Sequence, residues 1–120
     1  AGERKQFGKP IAQFQLVQEH LAAMKLDLEA ARLLTYRAAW KKVKGEPYTL
    51  EASLAKLFAS EAANRVAYRA IQVHGGYGFW EEYEVAGLYR DARILTLYEG
   101  TGEVQKLIIG AHLTGVRAFA

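Results

Sequence analysis

From Ile11 to about Lys44 the chain runs without glycine or proline, and Phe14, Val17, Leu21, Met24, Leu28, Ala31 and Ala38 recur at alternating steps of three and four, with Thr35 filling the one gap. That period puts them on one face and predicts a long helix. At 1.5 Å per residue it reaches about 45–50 Å, more than a small globule needs, so neighbours in an extended bundle must cover the stripe. Gly45-Glu46-Pro47 breaks it. Thr49 is the expected N-cap of a second helix, with Glu51 in its first turn facing the positive end of the helix dipole. Leu50, Leu54, Leu57, Tyr68 and Ile71 repeat the spacing, and Glu61 and Asn64 occupy two of its positions. This helix is predicted to end at Gly75-Gly76. Tyr77-Gly78-Phe79-Trp80 reads as a loop that packs rings while its backbone approaches something closely. Val85, Leu88, Tyr89, Ala92 and Leu95 mark a third helix that stops near Glu99-Gly100; a fourth starts at Thr101 and is carried by Val104, Leu107, Ile108 and Ala111. No strand, repeat or low-complexity tract emerges. The expected fold is all-α, an antiparallel four-helix bundle in which residues 1–120 form a single domain.

Composition narrows this picture by exclusion. A hydrophobic share of 51% and a charged share of 24% over 120 residues exclude disorder and repetitive fibres. The net charge of +3 arises from 16 Lys+Arg and 13 Asp+Glu, interspersed rather than blocked, so nucleic-acid binding is not indicated. With no cysteine there is no disulfide, thiol nucleophile or Cys-ligated metal, and the three histidines, His20, His74 and His112, stand far apart in sequence, so no metal site is expected. No apolar run is long enough for a membrane span, and no signal-peptide pattern opens the chain. The expected location is cytoplasmic. Because the chain opens Ala1-Gly2 without Met, it is read as a fragment, a processed product or an engineered piece rather than a whole gene product.

Three short stretches carry candidate chemistry. In Leu97-Tyr98-Glu99-Gly100-Thr101-Gly102-Glu103 a carboxylate sits at a break between helices, beside the free N–H groups of the next helix, where it can serve as a base. On composition alone it reads first as a solvated residue near a glycine cap. Gln72-Val73-His74-Gly75-Gly76-Tyr77-Gly78 pairs glycines at a helix end, either as a turn or as backbone laid against a flat or phosphorylated ligand. His74 lacks a matched Asp or Ser and reads first as a packed or capping histidine. Arg4-Lys5-Gln6-Phe7-Gly8-Lys9-Pro10 sets cations, an amide and a ring before a helix, suited to phosphate or adenine contact or to a solvated lead anchored by Phe7. Arg90 and Asp91, adjacent on a helix, should seek different partners.

Taken together, Arg4 to Ile11, Ile71 to Gly78, Tyr89-Arg90-Asp91-Ala92-Arg93-Ile94 and Tyr98-Glu99-Gly100-Thr101 resemble the acyl-CoA dehydrogenase family. The likeness runs from about Arg4 to His112 and corresponds to that family's C-terminal helical domain alone, without its N-terminal helical and middle β-domains. It implies a bundle that packs into a homo-oligomer, a tetramer or dimer, and shares FAD between subunits. Arg4, Gln6, Phe7, Gln72 and Gly76 match positions touching the adenine-pyrophosphate half of a neighbour's flavin, and Thr101 and Glu103 match positions touching the flavin of their own subunit. Glu99 matches the usual catalytic base, which takes the α-proton of an acyl-CoA thioester, with Tyr98 and Gly100 against the substrate.

The sequence also departs from the family pattern. Tyr83-Glu84-Val85-Ala86-Gly87 stands where the family has a Tyr-Pro-Val-Glu-Arg-like run, and Gly102 stands for a usual Ser. The resemblance implies an enzyme in the full-length parent and an inactive isolated piece. An acyl-CoA oxidase uses the same base, and a non-enzymatic module that self-associates or binds DNA is the reading from another class.

Overall fold

In the computed structural model, which describes residues 1–118, the lead folds into a small hairpin. Strands β1 (Lys5–Gln6) and β2 (Lys9–Pro10) pair antiparallel, with Lys5 opposite Pro10 and Gln6 opposite Lys9. A two-residue connection of type I′ needs positive φ at both central positions, and Phe7 at φ 51 and Gly8 at φ 78 supply it. The hydrophobic pattern predicts no strand here because a two-residue strand is too short to show alternation.

Four helices follow: α1 (Gln15–Val43), α2 (Thr49–His74), α3 (Glu84–Ala92) and α4 (Gly102–Thr114). Their existence and order match the sequence pattern; the expected boundaries differ in four places. The first helix starts at Gln15 rather than Ile11, because Pro10 launches a separate 3-10 turn, Ile11–Gln13, and Phe14 is extended at φ −91 and ψ 132. Thr49 is the first helical residue of α2 rather than its cap; Tyr48 takes the cap position and no side chain closes it. Gly75–Phe79 forms a 3-10 helix where a loop is predicted. The close backbone approach expected there is real and internal: a Cβ on Gly78 would stand 2.8 Å from the Ile71 carbonyl oxygen. The third helix stops at Ala92 rather than near Glu99-Gly100, because the chain tightens into a further 3-10 turn, Arg93–Thr96, which holds Leu95 and closes with Leu97 donating to the Ile94 carbonyl at 2.9 Å.

Helix α2 is the hub. Along its flank α1 runs antiparallel, as the pairs Arg69–Glu19 at 3.1 Å, Arg65–Asp27 at 2.7 Å and Lys41–Glu51 at 2.6 Å show. Asn64 of α2 donates to the Ala92 carbonyl at 2.8 Å, fixing the end of α3. Helix α4 ascends with α2, Gly102 lying over Leu57 and Lys106 facing Glu61 at 3.8 Å. The described apolar core is built from small residues, Ala55, Ala62 and Ala67 of α2 with Val85 and Ala92 of α3, which let backbones approach closely.

Beside that core the predicted α2 stripe lies half-buried at Leu50, Leu54, Leu57 and Ile71. The shape is long, 59 × 25 × 24 Å with a radius of gyration of 18.0 Å, against about 13–14 Å for a compact chain of this length. Val17, Met24, Ala31 and Ala38 of the predicted α1 stripe are half-buried. A second apolar row, Leu26, Leu33, Tyr36, Trp40 and Val43, is exposed, Val43 at 86%.

Candidate functional site

The hairpin folds back over the end of α2. Arg4 places its guanidinium carbon 5.6 Å from the centroid of the Tyr77 ring, and Tyr77 packs against Trp80 and Tyr83 at 5.9 and 5.4 Å. Between the hairpin, the end of α2 and the 3-10 helix lies a cleft of about 1090 Å³. Arg4, Gln6 and Phe7 from one stretch of the sequence and Gln72 and Gly76 from another all line it. The Phe7 ring is 93% exposed with Phe14 edge-on at 6.2 Å, so one face stays open for stacking. Gln72 donates to the Tyr68 hydroxyl at 3.2 Å. His74 is committed elsewhere: its Nδ1 donates to the Ala70 carbonyl at 2.8 Å, the capping role its isolation suggests. Trp80 and Tyr83 also line the cleft and were not singled out as site residues; the aromatic run around Gly78 was their sequence signal. A cation, side-chain amides, aromatic faces and glycine backbone in one groove suit a flat, anionic ligand.

The second group sits between α3 and α4. The 3-10 turn ends with Leu97 and Tyr98 both donating to the Ile94 carbonyl, at 2.9 and 3.3 Å. Glu99 then takes φ 55 and Gly100 φ 89, a reversal that turns the chain into α4. Thr101 caps that helix, its hydroxyl accepting from the Val104 N–H at 3.3 Å. The Glu103 carboxyl is held below its usual range by its own backbone N–H and the Thr101 hydroxyl, with Lys106 and Arg93 adding to the effect against the opposing cost of desolvation. Glu99 and Tyr98 are exposed, and Gly100 is half-buried. A separate cavity of about 430 Å³ borders Glu103, Arg93 and Lys106 and does not reach Glu99.

These two groups do not meet. Lys56 touches the Tyr98 end and Gln72 the cleft end, and the stretch of α2 between them is about 24 Å long at 1.5 Å per residue. Arg90 pairs with Glu81 at 3.1 Å and not with Asp91. Among the described residues no cluster of His, Cys, Asp or Glu could hold a metal, and no helix is long and apolar enough to cross a membrane.

A family model described as the C-terminal domain of acyl-CoA dehydrogenase matches residues 1–114, taking in the cleft, the Glu99 turn and all four helices. The chain belongs to the acyl-CoA dehydrogenase family. Among its curated relatives is the short-chain specific acyl-CoA dehydrogenase of Megasphaera elsdenii, 51% identical over 92% of this chain and 29% of that protein. The 3-(aryl)acrylate reductase of Clostridium sporogenes is 50% identical over 94% of this chain and 30% of that protein. The solved structure of butyryl-CoA dehydrogenase from Megasphaera elsdenii superposes with a TM-score of 0.92 at 51% identity, covering 93% of this chain and 29% of that one. The chain thus spans about three-tenths of these relatives' length. The family comprises flavoprotein oxidoreductases, and its helical C-terminal domain is the part represented here.

Proposed function

We propose that this chain is the C-terminal helical domain of an FAD-dependent acyl-CoA dehydrogenase, and that Glu99 is the base that removes the α-proton of an acyl-CoA thioester. The observation that carries this reading is the backbone at Glu99. A non-glycine residue held at φ 55 is an unfavourable state that surrounding structure must maintain, and here it falls on an exposed glutamate two residues ahead of the Thr101 cap of α4. A carboxylate becomes an effective base for a weakly acidic C–H when water is excluded and the adjoining carbonyl is polarised. The Glu99 backbone N–H supplies that polarisation, a contact that strengthens as negative charge develops on the thioester oxygen. Tyr98 and Gly100 border the substrate. The N-terminal and middle domains of the parent close the site against water.

The cleft residues fit FAD. Arg4 offers a guanidinium for the pyrophosphate, Phe7 an open ring for the adenine, and Gln6 and Gln72 amide donors, while Gly76 lets the backbone come close. Thr101 and Glu103 lie at the other end, toward the flavin of their own subunit. When bound, FAD supplies the hydride acceptor. On the family resemblance the cleft is assigned to a neighbouring subunit's flavin, which makes a homo-oligomer, tetramer or dimer, part of the proposal; the separation of the two groups on α2 is compatible with that assignment. The isolated 120-residue piece, holding no complete site, is then inactive.

A second reading keeps the same residues and reverses the reaction. The reductase from Clostridium sporogenes is as similar as the dehydrogenase, and a carboxyl that removes an α-proton in one direction delivers it in the other. The test uses the full-length, flavin-loaded enzyme. Glu99→Gln should lower flavin bleaching by a short-chain acyl-CoA at least ~10³-fold with flavin content retained. Bleaching at the wild-type rate removes Glu99 from the chemistry, and turnover of an enoyl- but not an acyl-CoA by the unmodified enzyme selects the reductive direction.

A further inference from the structure

Two side chains from outside the Tyr98–Thr101 motif grip the turn that carries Glu99. Lys56, on α2, reaches the 3-10 turn and donates from Nζ to the Leu95 carbonyl at 2.5 Å; the same ammonium stands 5.7 Å from the centroid of the Tyr98 ring. Gln105, on α4, is only 8% exposed and donates from Nε2 to the Gly100 carbonyl at 3.3 Å. One carbonyl precedes Glu99 and the other follows it. Outside the helices, no described backbone N–H donates to either, so these side chains replace the ladder bonds that the chain reversal gives up.

The burial of Gln105 is itself informative. It is the buried residue of α4, at a position where a hydrocarbon would pack without needing a partner. Its amide lies so close beneath Gly100 that a Cβ there would come within 2.6 Å of Nε2. Glycine at 100 and glutamine at 105 therefore form a matched pair, and the consecutive positive φ values of Glu99 and Gly100 are locked between that pair and the Lys56 anchor.

We propose that Gln105 and Lys56 are positioning residues for proton transfer at Glu99. By pinning the carbonyls before and after it, they fix the direction of its Cα–Cβ bond and hence the distance from carboxylate to substrate α-carbon. Proton transfer is far more sensitive to such a distance than substrate binding is. The proposal rests on the reading of Glu99 as the base.

The experiment compares Gln105→Leu, Gln105→Glu and Lys56→Met with Glu99→Gln in the full-length, flavin-loaded enzyme, scoring flavin reduction per bound flavin. Gln105→Leu keeps volume and loses the donor; kcat should fall about 10- to 100-fold with KM within about twofold, and the isotope effect with α-deuterated acyl-CoA should rise. Lys56→Met should act in the same direction. Gln105→Glu should be slow at neutral pH, where its carboxylate repels the Gly100 carbonyl, and should recover toward acid as the carboxyl becomes a donor, a limb absent from the wild-type pH profile. Wild-type kcat, isotope effect and pH profile per bound flavin in the Gln105 and Lys56 variants, whatever their yield, make the two residues merely structural and overturn the proposal. If Glu99→Gln is inactive while those variants are normal, only this inference fails; if Glu99→Gln is fully active, the assignment of the base fails first.

Discussion

Glycine at position 100 is required twice over. Its φ of 89 lies where an L side chain is strained, and the space a Cβ would enter holds the Gln105 amide. Gly100→Ala should therefore destabilise by about 1–2 kcal/mol, partly by displacing Gln105 from the Gly100 carbonyl. Gly87 is the opposite case. It lies within α3, has no positive φ and faces open space at the Cβ position, so Gly87→Ala should gain about 0.5–1 kcal/mol from helix propensity alone. Thermal unfolding of the two variants in the full-length protein should move Tm in opposite directions. The Glu99-Gly100-Thr101 break was legible in the sequence because glycine and a capping threonine announce a helix end and a helix start. Its supports were not. Gln105 reads as an ordinary polar residue of an amphipathic helix, and Lys56 lies 39 residues from the carbonyl it holds, a distance over which no local pattern speaks.

At the level of elements, the α1–α2 seam is fastened by charge as much as by apolar contact. Glu51 is 4% exposed and meets Lys41 at 2.6 Å and Arg37 at 3.4 Å. Its carboxyl is held below the usual range, first by the hydrogen bond from Lys41; that of Asp27 is held down first by the hydrogen bond from Arg65. A depressed folded-state value means that the stabilisation is present above the ordinary carboxylate range, near pH 4, and is lost as pH falls through the lower folded-state values. The Tm should thus drop on acidification below about pH 4, and Glu51→Gln should lower Tm at neutral pH while flattening part of that acid limb. An unchanged acid limb in this variant would count against the pairing. Periodicity predicted both helices and the turn between them, yet it misjudged what lies deepest. It ranks residues by hydrophobicity, whereas helix contact here is set by closeness, so Ala55, Ser60 and Ala62 are buried and the leucines stand beside them. It also stopped at one stripe on α1, and the exposed row from Leu26 to Val43 went unread.

As a whole molecule, the chain has two long helices side by side and little to cover them. Rows such as Leu33, Tyr36, Trp40 and Val43 face outward in a body 59 Å long. Water-exposed apolar rows of this length favour association, so the isolated 120-residue chain should run above its monomer mass of 13.4 kDa in size-exclusion chromatography with light scattering. It should also be colourless and without acyl-CoA turnover. A monomer persisting at high protein concentration contradicts the first expectation, and stoichiometric bound flavin with turnover contradicts the second.

The stretch of α2 that separates the cleft from the Glu99 turn also has a genetic consequence. If the cleft of one subunit serves the flavin of the next, two crippled alleles can rescue one another. A subunit with Glu99→Gln still offers Arg4, and a subunit with Arg4→Ala still offers Glu99. In each mixed pair one site draws both intact residues and the other draws neither. Co-expression should give more activity at limiting FAD than the two homo-oligomers contribute separately, whereas placing both changes on one chain and co-expressing it with either single variant should rescue nothing.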